Sequence, residues 1–133
     1  MTRKPIAVFQ LPLEEAPLLN VFMRMHWRVR IALSERIALR LLTQVGRRSS
    51  PLAGRPQLLV TRYSTKRPDQ DSAGTKLWLD QLVKLGWLRD DGPDHVEVLN
   101  HWEKAKRGDG RVVVHVYSGE QANAEHERKM GWV

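Results

Sequence analysis

The segment that most constrains this chain runs from Trp27 to about Val45. Val29, Ala32, Leu33, Ile37, Leu41 and Val45 recur there at three- and four-residue spacing. That period puts apolar side chains along one stripe of an α-helix and sends Arg28, Arg36, Arg40 and Arg47 mostly off it. Gly46 stops the helix, and the residues from Arg47 to Pro56 read as a loop. A helix with one apolar stripe needs something to bury that stripe against, and the remaining apolar runs are of strand length. Ile6–Leu11 and Gln57–Tyr63 are two such runs; Val96–Leu99 and Arg111–Tyr117 are two more. Between them a second helix is expected from Asp71 or Ser72, either of which is a good N-cap, to Leu85, with Leu79, Leu82, Val83 and Leu85 buried and Gly86 ending it. Lys104–Gly110, with Gly108-Asp109-Gly110 at its tip, has the composition of a hairpin turn. The order β-α-β-α-β-β predicts a small α/β (α+β) domain: a mixed sheet of about four strands carrying two main helices.

The 133 residues suit one domain, 1–133, and residues 119–133 form a polar tail. The chain has no cysteine, which excludes disulfides, thiolate zinc sites and cysteine nucleophiles and agrees with a cytoplasmic location. No run approaches the length of a membrane span, and the basic start is not followed by a signal-peptide core. The five histidines are scattered without zinc spacing and read as surface or packing residues.

Charge is distributed unevenly. Residues 1–67 hold 13 Lys and Arg against 3 Asp and Glu, and residues 68–100 hold 3 against 7. The whole chain carries a formal net charge of +7. Basic surface attracts polyanions, nucleic acid foremost, so the compact acidic segment in the middle calls for a reason. Asp69 and Asp71 lie two apart in a loop where alternate side chains point the same way, and Asp90 and Asp91 sit in a turn beyond the helix. Clustered carboxylates repel phosphate unless a metal ion lies between them. Mg²⁺ is held by carboxylate oxygen, phosphate and water, and it supports phosphodiester hydrolysis. Lys76, one turn into the helix, is positioned to stabilise phosphate charge. The plainer alternative is solvated loop acids, with Lys76, Asp80 and Lys84 forming surface salt bridges at i, i+4 spacing. Arginines and aromatics alternate from Asn20 to Arg30, either as the entry to an amphipathic helix or as a DNA-backbone contact.

The combination Asp69-Gln70-Asp71, Lys76, then Asp80-Gln81-Leu82-Val83-Lys84-Leu85-Gly86 and Asp90-Asp91 resembles the core of the RusA-type Holliday-junction resolvases. The stretch Leu19-Asn20 through Arg24-Met25-His26-Trp27-Arg28 and Arg30 is similar to that family's N-terminal loop and helix entry. Over residues 6–117 the resemblance implies a RusA-like fold and a homodimer that cleaves branched DNA in recombination and repair, in a prophage setting. It implies Mg²⁺, or Mn²⁺ in its place, held by Asp69, Asp71 and Asp91, with Asp90 in reserve for Asp91 and Lys76 as the active-site lysine. Asn20, Arg24, Arg28, Lys66 and Arg67 are the expected DNA contacts. Ser72 stands where the family has asparagine, and the gap from Asp71 to Lys76 is one residue longer, a change that Gly74 could absorb. The rival readings are a non-catalytic DNA-binding module on the same fold and a protein-interaction domain.

Overall fold

A computed structural model describes residues 4–68 and 75–119. Strand β1 (Ala7–Pro12) leads through a 3₁₀ turn (Leu13–Glu15) and a short helix α1 (Leu19–Arg24) to the long helix α2 (Trp27–Gln44). Strand β2 (Gln57–Ser64), helix α3 (Thr75–Lys84), and strands β3 (Glu97–Lys104) and β4 (Arg111–Tyr117) follow. The four strands form one mixed sheet in the order β1-β4-β2-β3. β4 is antiparallel to both neighbours, while β2 and β3 are parallel and joined by the α3 crossover. This is the α+β architecture expected from the element order.

Alternation along the strands decides which face is covered. Phe9 is in register with Val114, and Val114 with Val60; Ala7, Val116 and Leu58 make the adjacent row. The residues between them, Val8 on β1 and Leu99 on β3, remain about 40% exposed on the other face. Leu33, Ile37 and Leu41 of α2 and Leu77, Trp78, Leu79 and Leu82 of α3 complete the core. Trp78 meets Phe9 edge to face with ring centroids 5.6 Å apart. Burying a large aromatic there stabilises by about 2–3 kcal/mol, with a further ~1 kcal/mol from the ring geometry.

Four expectations need correcting. Val29, 49% exposed, and Ala32 both lie on the surface, because the buried stripe of α2 begins only at Leu33. β3 extends to Lys104 rather than ending at Leu99, since backbone pairing with β2 continues through polar residues. Residues 104–110 do not close a hairpin, because β2 lies between β3 and β4 and the connection must cross its end. Helix α1 falls where a loop was expected to lead in. Phe22 and Met25 hold it against the core.

Candidate functional site

Helix α3 builds the site from its exposed side. Leu77, Trp78, Leu79 and Leu82 face the core, which turns Lys76, Asp80 and Lys84 outward on one line. The helix ends at Gly86, whose φ of 86° suits glycine alone; a Cβ there would lie 2.2 Å from the Arg48 carbonyl oxygen. The Arg48 N–H donates to the Leu85 carbonyl at 2.9 Å, so α2 and α3 meet at their C-terminal ends. The chain then buries Trp87 and Leu88, and the Trp87 indole donates to the Gly46 carbonyl at 2.8 Å. With those two residues anchored, the turn that follows is thrown back along α3. The Val96 and His95 N–H groups both donate to Gly92, closing it.

That closure brings Asp91 against Asp80. Burial, followed by the hydrogen bond and like charge of Asp91, pushes the Asp80 carboxyl above the ordinary carboxylate value; Lys76 and Lys84 only moderate the rise. Among the described residues neither lysine forms an ion pair with Asp80, so the i, i+4 salt bridges of the plainer alternative are not made. Sequence reasoning assigned Asp80 to those bridges and missed it as a site residue. The available signal was its place one helical turn beyond Lys76 together with an acidic turn following the helix.

Asp90 and Asp91 separate cleanly. The Asp90 carboxylate accepts from the Asp91 backbone N–H at 2.7 Å and lies 4.0 Å from His95 Nε2. The Asp91 N–H, then the Asp91 side chain and the charge of His95, hold Asp90 below the usual carboxylate range. Asp91 is the member of the pair that faces α3, and Asp90 is occupied by its own turn. Asp69 and Asp71 lie outside the described residues. Among the described residues no three metal-ligating side chains converge, so Asp80 and Asp91 supply two carboxylates and no complete cage. Two half-exposed carboxylates and a lysine are nonetheless the hard oxygen donors and phosphate partner that a Mg²⁺ site uses.

The N-terminal contacts assemble at the α1–α2 elbow. Asn20 Oδ1 accepts from the Val21 N–H at 2.9 Å, and Arg24 Nε donates to the Asn20 carbonyl at 3.1 Å. His26 caps α2 by accepting from the Arg28 N–H at 3.1 Å, and its ring stacks on Trp27. Arg30 is committed inward: it donates to the Phe22 carbonyl at 2.9 Å and lies over the Phe22 ring. Arg24 and Arg28 stay exposed. Gln44 meets Gln10 within β1 and Arg40 meets Glu15 beyond the end of β1, so α2 followed back toward its start leads to the end of the sheet where β1 and β2 finish, the side of the elbow. Lys66 and Arg67, also exposed, follow β2 at that end.

No family model and no curated protein matches the chain. Among the described residues no helix is long and apolar enough to cross a membrane.

Proposed function

We propose that this protein is a Mg²⁺-dependent, structure-selective endonuclease of the RusA type. It would cut four-way DNA junctions as a homodimer in the cytoplasm, with Mn²⁺ able to replace Mg²⁺. The observation that carries this reading is the approach of Asp91 to Asp80 on the helix face that also bears Lys76. Facing carboxylates on a protein of net charge +7 are unfavourable neighbours for phosphate unless a cation joins them.

In this reading Asp80 and Asp91 would hold the cation from the α3 side, with Asp69 and Asp71, which fall between β2 and α3 in sequence, as its further ligands. Mg²⁺ held there would supply Lewis acidity and neutralise charge at the phosphate. Lys76 stabilises the negative charge that grows on the phosphate oxygens, and Lys76→Ala is expected to lower turnover about 100-fold. Arg24, Arg28, Lys66 and Arg67 hold the DNA backbone, and the Asn20 carbonyl steadies Arg24 one turn along helix α1. Two copies related by a two-fold axis would present two sites to the two strands of a symmetric junction.

The test is cleavage of a synthetic four-way junction with Mg²⁺, with linear duplex as control. Paired symmetric nicks that disappear in Asp71→Asn and Asp91→Asn are the expected result. Tight junction binding with no cleavage in Mg²⁺ or Mn²⁺ would overturn the enzyme reading in favour of a DNA-binding module on the same fold.

A further inference from the structure

The connection from β3 to β4 passes over the end of β2, and this juxtaposes two basic segments far apart in sequence. The Ala105 N–H donates to the Ser64 carbonyl at 2.9 Å, and Trp102 Nε1 donates to Ser64 Oγ at 2.9 Å. Ser64 Oγ in turn donates to the Lys66 carbonyl at 2.8 Å. Within the crossing turn the Asp109 N–H donates to the Lys106 carbonyl at 3.0 Å, and Arg111 donates to the Asp109 carbonyl at 2.9 Å while lying over Tyr63. Gly110 is seated so closely that a Cβ would strike Leu13. The two turns are therefore stapled into one backbone unit.

Lys66, Arg67, Lys104, Lys106 and Arg107 project from this unit, all exposed. None forms an ion pair among the described residues. Of the nearby acids, Glu103 is engaged by His101 at 2.8 Å, leaving Asp109 against five cations. Neither turn exposes a large apolar side chain. A protein partner would need an apolar anchor to bind here, whereas a phosphate backbone needs only fixed cations.

We propose that the joined turns form a lip that grips the phosphate backbone of duplex DNA leaving the acidic site, with Lys104, Lys106 and Arg107 as its contacts. The proposal rests on the nuclease reading for its ligand, and it adds a second contact surface, apart from the α1–α2 elbow. The lip acts on backbone charge, so it contributes equally to junction arms and to plain duplex and carries no base preference.

The experiment is anisotropy of a labelled four-way junction and a labelled duplex between 50 and 200 mM NaCl, in EDTA. Wild type is compared with Lys104→Gln/Lys106→Gln/Arg107→Gln. The triple variant is expected to weaken both ligands about tenfold or more and to flatten the salt slope by about 2 to 3, one contact per cation removed. A thermal melt confirms that the exposed substitutions leave the fold intact, and Lys106→Gln/Arg107→Gln, at the turn tip, serves if the triple variant does not fold. Unchanged affinity and slope beside a steeply salt-dependent wild type would overturn the lip alone. A wild type that binds neither ligand in a salt-dependent way would overturn the lip and the nucleic-acid reading together.

Discussion

Two acidic side chains in this molecule are treated in opposite ways. Glu15 is 2% exposed and fully answered: Arg40 approaches it with two nitrogens, Nε on Oε2 and Nη2 on Oε1 at 3.1 Å. Asp80 is less buried yet faces another acid, Asp91, and has no cation in contact among the described residues. At Glu15 the fold paired a charge in order to bury it between the 3₁₀ turn and α2. At Asp80 two like charges are held together by a turn whose anchors, Trp87 and Leu88, lie elsewhere in the core. Stability alone explains the first arrangement and argues against the second, which the proposed cation would answer.

The contrast can be broken in four ways. The largest effect is expected from Asp91→Asn, which should reduce junction cleavage about 100-fold or more in a multiple-turnover assay; wild-type rates would detach the acid pair from chemistry. Next, Arg40→Met should cost about 3 kcal/mol in urea unfolding because it strands a buried carboxylate. Glu15→Gln keeps an acceptor in place and should cost nearer 1 kcal/mol. Equal losses would show that the pair is not asymmetric. Third, Mg²⁺ at ten times its dissociation constant should stabilise wild type by about 1.4 kcal/mol and Asp91→Asn by much less, read as a shift in melting temperature.

The smallest effect concerns pH. The folded state raises the Asp80 pKa above its unfolded value. Between those two values the native protein holds a proton that the unfolded chain has released, so stability falls as pH rises through that window. The penalty is complete above the folded pKa and absent below the unfolded one. Asp80→Asn should therefore be slightly more stable than wild type at neutral pH without metal and lose that advantage in acid. A constant difference at all pH values would mean that the raised pKa is not what separates the two proteins.

How much of this was legible beforehand follows from the physics of each element. α2 announces itself by its period and β4 by its run of valines, and their limits fall within a residue of those read from the sequence. β3 is an edge strand paired only with β2, so Asn100–Lys104 need no buried face and show no alternation. Helix α1 has six residues and is held by packing, which local spacing cannot express. The place of Asp91 against Asp80 is a tertiary fact, set by where Trp87 and Leu88 are buried. Lys76 and Asp91 enter the candidate site from their motif, whereas the approach of Asp80 to Asp91 was hidden behind the commonest explanation for an acid four residues from a lysine.

The register of β1 has a consequence for synthesis. Its pairing partner in the sheet is β4, with Ala7 opposite Val116 and Pro12 opposite Arg111. A ribosome delivers β1 before the other three strands, and its mate emerges after both β2 and β3. The β2-α3-β3 unit can gather while β1 still waits, its hydrogen-bonding edge unmet. The first of the four strands to be made is thus among the last to be locked, and a chain cut short before Arg111 would leave Phe9 and Leu11 without the sheet that buries them.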